Sequence, residues 1–265
     1  MTATGAPTVC LVVPHFDHAE ALCRSLPTLL ATGWPVIIVD DGSAAAERDR
    51  LTRCVRAAAL PPVRLQLLAL PGNRGKGVAV LHGFAAARRA GFTHAVQIDA
   101  DGQHELTDLP ALLAASAREP GAIVSGEPLF DGTAPAVRVH GRKLTTWMIA
   151  LETFGGGIRD GLCGYRVCPL EAVAAIEARH VIAPRMGFDT DMLVKARWMD
   201  IPVRFVPTRV RYPSDGRSHF HYLRDNASLV RLHIALLGGA LVRSPALLRR
   251  RRDERRHLDT DPGPR

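Results

Sequence analysis

Short apolar runs alternate with segments of helical spacing through the first half of the chain. The apolar runs predict strands, at residues 8–13, 35–40, 64–70 and 94–99. Strands that are apolar on both faces are typical of a parallel sheet covered by helices on each side. The segments between them have apolar positions three and four residues apart and predict helices, at residues 17–31, 44–59 and 75–90. This alternation predicts an α/β fold, a three-layer α/β/α sandwich.

The second half of the chain follows a less regular pattern. Further strands are predicted at residues 121–127, 163–169 and 203–212, and further helices at residues 143–154, 169–179 and 188–199. Because these strands are short and the last contains Pro207, we expect a mixed or antiparallel edge on the mostly parallel sheet. A long helix begins at Tyr222, and Pro245 ends or bends it. The predicted division is a globular domain at 1–221, a C-terminal amphipathic or apolar helix at 222–248, and a basic, disordered tail at 249–265.

Positive charge is concentrated at the C-terminal end. Residues 241–265 hold eight arginines and four acids, which supplies half of the chain's net charge of +8. An apolar segment followed by dense cationic residues is typical of helices that lie on anionic membranes. A helix packed on the domain with a solvated tail is the alternative. The tail has no aromatic residue among its arginines on which bases could stack, so nucleic acid is not a predicted partner.

Cysteine usage and the first residues indicate the compartment. The five cysteines are odd in number and form no CxxC pair, which predicts reduced thiols in the cytoplasm. The first ten residues show neither a basic region nor a long apolar run, so no secretory signal is expected. No stretch reaches the roughly 20 apolar residues that span a bilayer. We therefore expect a cytoplasmic protein that is peripheral at the inner face of the membrane if its tail binds there.

Polar residues follow each of the first four predicted strands. In an open parallel sheet, the carboxyl ends of the strands meet at one edge, where ligands bind. After the fourth strand come Asp99 and Asp101, in the stretch VQIDADGQHE. Two carboxylates on the same side of an extended segment repel each other unless a cation lies between them, and hard oxygen ligands suit Mg²⁺ or Mn²⁺. A solvated acidic turn is the alternative, although the amide of Gln103 nearby favours a metal.

The glycine-rich stretch PGNRGKG follows the third strand. Its glycines surround Asn73, Arg74 and Lys76 at the start of a helix, where backbone N–H groups and two cations favour an anion. A P-loop is excluded because its pattern would need a glycine at Leu70 and a hydroxyl at Gly77. A flexible surface turn is the alternative for this loop.

The stretch VDDGS follows the second strand. Asp40 and Asp41 could accept hydrogen bonds from a nucleotide base or a ribose hydroxyl, or they could cap the next helix together with Ser43. Capping accounts for one of the two aspartates and leaves the other for a ligand.

Six stretches, taken in order, resemble the successive motifs of family 2 glycosyltransferases with the GT-A fold. They are LVVPHFDHAEAL, VIIVDDGS, LPGNRGKGVAVLHGFAAA, AVQIDADGQHELTDLPALL, DGLCGYRVCPLEAV and FDTDMLVKARWMDIPVRFVP. The similarity covers roughly residues 8–215 and is greatest to polyprenyl-phosphate glycosyltransferases of the dolichyl-phosphate mannosyltransferase type. The resemblance implies an inverting, metal-dependent hexosyltransferase that moves a sugar from a UDP- or GDP-sugar to a lipid-linked acceptor, either polyprenyl phosphate or another membrane lipid.

The resemblance also assigns roles to residues. Those expected on the donor side are Pro14, Phe16, Asp40, Asp41, Asn73, Lys76 and Asp99. Those expected to hold the divalent metal, Mg²⁺ or Mn²⁺, are Asp99, Asp101 and Gln103. Those expected at the reacting sugar are Asp160, Arg166 and Asp191, and those expected to bind the acceptor are Arg217, Ser218 and His219.

The chain departs from the family pattern at three positions. Asp17 and His18 replace an Asn-Glu pair after the first strand, and Cys163 stands where a serine is common. Two other functions stay open. One is a catalytically silent nucleotide-sugar-binding protein that recruits a partner. The other is a sugar nucleotidyltransferase of related fold, although its glycine-rich signature is missing from VVPHFDH.

Overall fold

The computed structural model describes residues 7–58, 64–129, 136–155, 157–210 and 222–260 of the chain, and it excludes the side chains of 136–140, 222–225 and 253–260. The strands in this part of the chain are β1 Val9–His15, β2 Val36–Asp40, β3 Leu65–Ala69, β4 His94–Gln97, β5 Ile123–Leu129, β6 Arg166–Pro169 and β7 Val203–Arg209. The helices are α1 Ala19–Ala31, α2 Ala45–Ala58, α3 Lys76–Arg89, α4 Leu109–Arg118, α5 Ala136–Glu152, α6 Leu170–Arg179, α7 Phe188–Trp198 and α8 Tyr222–Thr260.

The strands form one mixed sheet in the order β3-β2-β1-β4-β6-β5-β7. Only β6 among these strands runs antiparallel to its neighbours, and it lies between β4 and β5. The sheet is therefore mixed in its C-terminal half, as predicted. The antiparallel strand is internal, however, and the edge strand β7 pairs with β5 in parallel. Pro207 is tolerated in β7 because an edge strand leaves one side of its backbone unpaired.

The sheet buries apolar side chains on both faces, which confirms the three-layer prediction. In β1, Cys10 and Val12 enter one core, while Leu11 and Val13 enter the other. Helices α1, α2 and α4 cover one face, whereas α3, α6, α7 and α8 cover the opposite face. Helix α4 was not among the predicted elements, although its buried Leu109, Leu112 and Ala115 have helical spacing.

Helix α8 continues through Pro245 to Thr260 and packs on the domain along one side. Leu236, Ala240 and Leu247 are buried there. A Cβ on Gly239 would lie 2.4 Å from the Trp198 ring, so α8 contacts that ring directly. This close packing fixes one side of α8 on the domain. The domain boundaries expected from the sequence, at 221 and 248, stay predictions.

Two of the cysteines form a disulfide in this structure. Cys23 in α1 and Cys54 in α2 are joined, with their Cα atoms 6.1 Å apart. Cys10, Cys163 and Cys168 are free and buried, and burial raises the pKa of each thiol to about 12. The expectation of five reduced thiols was therefore wrong for one pair. The two members of that pair are 31 residues apart in sequence, and only the packing of α1 on α2 brings them together.

Candidate functional site

The carboxyl ends of β1 and β2 are joined by a buried hydrogen-bond network. Asp40 accepts hydrogen bonds from His15 Nδ1 at 3.0 Å and from the hydroxyl and backbone N–H of Ser43. The backbone N–H of His18 donates to His15 Nε2 at 3.2 Å, which leaves Nδ1 as the protonated nitrogen. Burial opposes the charge on Asp40, but the bonds from His15 and Ser43 outweigh it and lower the pKa of the carboxyl. Two other predicted donor-side residues flank His15 in the sequence: Pro14 is buried, and Phe16 is partly exposed.

Asp41 ties the end of β2 to the glycine-rich loop. Its Oδ1 accepts the backbone N–H of Arg74 at 2.8 Å, and its Oδ2 accepts that of Gly75 at 2.7 Å. Burial raises the pKa of this carboxyl. A Cβ on Gly42 would lie 2.3 Å from the Gly72 carbonyl carbon, so β2 and the loop can approach this closely only with glycine there.

The N–H groups at the start of α3 are also used inside the protein. Those of Gly77 and Val78 donate to the carbonyl oxygen of Pro184 at 2.9 and 3.3 Å. The exposed Asn73 accepts a hydrogen bond from Arg185 through its side-chain oxygen at 2.9 Å. These N–H groups therefore do not form the open anion site that the glycine pattern indicated. Lys76 is the loop residue that reaches Asp99 of the pair Asp99 and Asp101, the DxD pair.

Lys76, Asp99 and Asp189 form an ion-pair cluster at the end of β4. Lys76 Nζ lies 2.8 and 2.9 Å from the two Asp99 oxygens and 2.7 Å from Asp189 Oδ2. Gln97 donates to Asp189 Oδ1 at 2.9 Å. Burial opposes the charge on Lys76, but Asp189 and Asp99 raise its pKa above the usual value. Burial likewise opposes the charge on Asp99, and Lys76 lowers its pKa. The cation expected beside Asp99 is thus partly supplied by the protein.

Asp189 was not predicted from the sequence. The stretch FDTD contains Asp189 and Asp191 two positions apart, and the resemblance selected the second. Residues at i and i+2 point to different sides of a helix. The start of α7 directs Asp189 towards Lys76, whereas Asp191 is bonded to Lys195 and to the backbone N–H of Ala183 at 2.6 Å. Asp191 therefore holds the segment before α7 and is not part of the Lys76 cluster.

Asp101 and Gln103 lie beside the cluster. Asp101 is exposed, and its Oδ1 accepts the backbone N–H of Gln103 at 3.0 Å. Partial loss of hydration and then repulsion by Asp99 raise the pKa of Asp101. Among the described residues, no three His, Cys, Asp or Glu side chains lie close enough to hold a metal by themselves. Two carboxylates with an amide oxygen nevertheless fit Mg²⁺ or Mn²⁺, which commonly take one or two protein carboxylates and complete their shell with phosphate oxygens and water.

Arg166 and Asp160 hold the backbone around the cluster. The fully buried Arg166 donates to the carbonyl oxygens of Asp189 at 2.7 Å and Gly161 at 3.2 Å. Asp160 accepts the backbone N–H groups of Leu162 and Cys163 at 2.9 and 2.7 Å, and it pairs with Arg142. Both predicted residues therefore shape the site, with Asp160 at its margin.

A cationic cavity of about 320 Å³ opens at Asp160. Its charged lining side chains are Arg142, Lys143, Arg159, Asp160 and Glu127. The cavity lies between β5, α5 and the segment before β6. The predicted acceptor residues Arg217, Ser218 and His219 lie outside the described residues, as does all of 211–221.

Residues 10–169, more than half of the chain, match the family described as Glycosyl transferase family 2. The chain belongs to this family. It is thus a family 2 glycosyltransferase, which confirms the family and the enzyme class predicted from the motifs.

Several curated relatives are similar over most of the chain. An undecaprenyl-phosphate mannosyltransferase of Micrococcus luteus is 27% identical over 208 residues, which cover 75% of this chain and 83% of that protein. A polyprenol monophosphomannose synthase of Mycolicibacterium smegmatis is 28% identical, with 77% and 80% covered. A dolichyl-phosphate beta-glucosyltransferase of Drosophila melanogaster is 28% identical, with 75% of this chain but only 65% of that protein covered.

Two solved structures share the fold. Glucosyl-3-phosphoglycerate synthase from Mycobacterium tuberculosis, in complex with UDP, superposes with a TM-score of 0.64 at 18% identity over 88% of this chain and 80% of that chain. A mannosyltransferase from Pyrobaculum calidifontis, in complex with GDP-Man and Mn²⁺, gives a TM-score of 0.55 at 19% identity over 92% and 75%. At these identities the likeness establishes the fold alone, and it confirms the GT-A prediction.

Proposed function

We propose that this glycosyltransferase moves a hexose from a UDP- or GDP-sugar to a lipid-linked phosphate acceptor, with inversion and with a divalent metal. The observation that carries the proposal is the cluster of Asp99, Lys76 and Asp189 beside Asp101, at the edge where β1, β2 and β4 end. The relatives named for transfer to polyprenyl phosphates support the acceptor class.

On the donor side, the leaving group is a nucleoside diphosphate whose charge grows as the glycosidic bond breaks. A Mg²⁺ or Mn²⁺ ion held by Asp99, Asp101 and Gln103 would supply positive charge there. Lys76 adds a second cation beside Asp99. Pro14, Phe16, Asn73 and the pair Asp40 and Asp41 would line the nucleoside pocket. The Asp40 and Asp41 carboxylates already accept bonds within the protein, so we assign them to the shape of that pocket.

On the acceptor side, the cavity is lined by three cations and two carboxylates. Arg142 pairs with Asp160 and Arg159 pairs with Glu127, so Lys143 and the remaining net positive charge are what favours a phosphate group there. A phosphate acceptor is already an anion and needs no general base. An alcohol acceptor would need one, and Asp189 and Asp160 are then the candidates by position. Asp191 would contribute to the reaction indirectly, because its hydrogen bond to Ala183 holds the segment before α7 in place. Arg217, Ser218 and His219 remain proposed acceptor residues on the resemblance alone.

The exposed apolar surface favours a lipid-linked acceptor. The large apolar side chains that are exposed in the described residues all lie at residue 129 or beyond. They are Leu129 on β5; Leu144, Trp147 and Leu151 on α5; Val181 and Met186 before α7; and Val230, Ile234, Leu241, Val242 and Leu248 on α8. Helix α8 packs against both α5 and α7. We therefore propose that α5 and α8 together face the membrane, with the acceptor cavity at the margin of this surface.

Helix α8 carries both apolar and cationic residues. By length and composition, Asn226–Arg252 could cross a membrane, which the sequence pattern did not predict. One side of the helix is nevertheless occupied by the domain, through Trp198 and through the pair of His233 with the buried Glu152. The arginines at its C-terminal end would contact anionic headgroups. We propose that α8 lies along the inner face of the membrane and that the protein is peripheral there.

The donor and acceptor are tested in two steps. Thermal shift with a panel of UDP- and GDP-sugars in the presence of Mn²⁺ should show stabilisation by one donor, because ligands that bind only the folded state raise Tm. Transfer of that labelled sugar to polyprenyl phosphate should then follow. Stabilisation without transfer or donor hydrolysis would indicate a silent binder, and no stabilisation by any member of the panel would contradict the donor class.

Membrane binding is tested separately with vesicles. The full chain should sediment with phosphatidylglycerol vesicles and much less with phosphatidylcholine vesicles. Trp147→Glu should weaken sedimentation without changing donor-dependent thermal shift, because Trp147 is exposed on α5. Equal sedimentation of both proteins on both vesicles would contradict the proposed surface.

A further inference from the structure

The Asp99 carboxylate is enclosed by Lys76 on one side and by backbone on another. Lys76 Nζ lies almost equally far from both Asp99 oxygens, at 2.8 and 2.9 Å, and so occupies the fork of the carboxylate. A Cβ on Gly164 would lie 2.2 Å from Asp99 Oδ2, so the carboxylate rests directly on the backbone there. The ammonium is held in this place by a third contact, 2.7 Å to Asp189.

This arrangement affects any metal that would bind the DxD pair. A divalent ion on Asp99 would bind a carboxylate whose Oδ2 already accepts a hydrogen bond from Lys76 and whose Oδ1 lies 2.8 Å from the same ammonium. Two cations at one carboxylate also repel each other, by an amount that is large at separations of a few ångströms in a partly buried site. Asp101 is exposed and offers only one further carboxylate among the predicted ligands. A metal on its own therefore competes with Lys76.

We infer that Lys76 is a built-in counter-ion for Asp99 in the donor-free enzyme, so that the metal binds tightly only together with a nucleoside diphosphate. The diphosphate brings negative charge that stabilises a second cation beside Lys76. This inference rests on the proposed function, because it takes the metal position at Asp99 and Asp101 from it. Lys76 is a positioning residue in this account: it sets the order in which metal and donor bind.

The test measures Mn²⁺ alone, by electron paramagnetic resonance of the free ion titrated with the full chain. Lys76→Met removes the competing charge, and we expect it to bind Mn²⁺ about tenfold or more tightly than the wild type, given the size of a charge interaction at this distance. Lys76→Arg keeps the charge and should bind Mn²⁺ as weakly as the wild type. If Lys76→Met binds Mn²⁺ no more tightly than the wild type, including the case in which neither binds, the inference is overturned.

A second variant separates loss of charge from loss of the hydrogen-bond network. Asp189→Asn removes an anchor of Lys76 but leaves the ammonium beside Asp99, so Mn²⁺ binding should stay weak or weaken further. Tighter Mn²⁺ binding by Asp189→Asn would contradict the competition. This variant also keeps the inference testable if Lys76→Met does not fold, which would show as the absence of a cooperative thermal transition.

Added nucleotide distinguishes this inference from the proposed function. In the wild type, UDP or GDP should tighten Mn²⁺ binding, and by thermodynamic reciprocity Mn²⁺ should tighten nucleotide binding by the same factor. In Lys76→Met that factor should be smaller. An equal or larger factor in Lys76→Met would count against Lys76. If neither nucleotide has an effect on the wild type, the donor site and the coupling of metal to nucleotide are both refuted, and the comparison with Mn²⁺ alone then decides only whether Lys76 competes with the metal.

Discussion

Two pairs of aspartates follow the two strands that flank β1 in the sheet, and the protein holds the two pairs in different ways. Asp40 and Asp41, after β2, accept hydrogen bonds from His15, Ser43 and the backbone of the glycine-rich loop. After β4, Asp99 is paired with Lys76, and Asp101 remains exposed with its pKa raised by lost hydration and by its neighbour.

The difference shows how one residue type builds a site in two ways. The β2 pair uses its oxygens to bring β1, β2 and the loop together, so it contributes to the walls of the pocket. The β4 pair retains negative charge that the protein balances only in part, so it is suited to bind a cation together with a diphosphate. Whether an aspartate pair forms a pocket wall or a cation site depends on which N–H groups of the protein donate hydrogen bonds to its carboxylates.

The largest expected effect comes from neutralising the β4 pair. Asp99→Asn and Asp101→Asn should each reduce transfer by about 1000-fold, because they remove charge that holds the metal and diphosphate. Asp101→Asn should leave Tm near the wild-type value, since Asp101 is exposed. Initial rates with a labelled donor measure the effect, and retention of most of the activity by Asp101→Asn would remove the distinction between the two pairs.

The second effect compares the two aspartates of α7. Asp189→Asn should reduce transfer by about 100-fold, whether Asp189 acts as a base or positions Lys76. Asp191→Asn should instead lower the free energy of unfolding by about 3 kcal/mol, because it removes the negative charge beside the largely buried Lys195 and leaves that ammonium with a neutral acceptor, the Val181 carbonyl oxygen. Rates per folded molecule and urea unfolding of both variants separate the roles; a severe loss of rate in a stable Asp191→Asn protein would reverse the assignment.

A smaller effect is expected from the β2 pair. Asp41→Ala leaves the backbone N–H groups of Arg74 and Gly75 without their acceptor, at a cost of about 1–3 kcal/mol in the free energy of unfolding. Urea unfolding measures the loss, and Asp101→Ala is the matched control with an exposed carboxylate. Equal unfolding midpoints for these two variants would show that Asp41 does not stabilise the loop.

The smallest expected effect is a change in how the free energy of unfolding depends on pH in the acid range. The pKa of Asp40 is lowered from 3.8, so its contribution to stability is present above that value and is lost as the pH falls below it. Asp41 has a raised pKa, so its ionisation opposes folding and acid has the opposite effect on it. Asp40→Asn should therefore lose less stability than the wild type between pH 5 and pH 3 in urea unfolding, and a steeper loss in the variant would contradict the assignment.

The sequence predicted the sheet and the edge at which the polar residues gather, since both follow from apolar runs and the chain order of parallel strands. It did not predict that β6 lies inside the sheet, because pairing between β4 and β5 depends on tertiary packing. Asp189 was missed for a similar reason, since only the orientation of α7 distinguishes it from Asp191. The loop N–H groups were predicted to bind an anion because their internal acceptors, Asp41 and Pro184, are distant in sequence.

Isothermal titration of UDP and GDP tests the central claim that the end of β4 is a metal-dependent nucleoside-diphosphate site. The wild type should bind one of the two nucleotides in Mn²⁺, with an affinity at least about tenfold higher than in EDTA, a difference that corresponds to roughly 1.4 kcal/mol. Asp101→Asn should lose this dependence on Mn²⁺. Binding that is equal in Mn²⁺ and EDTA, and unchanged in Asp101→Asn, would contradict the claim.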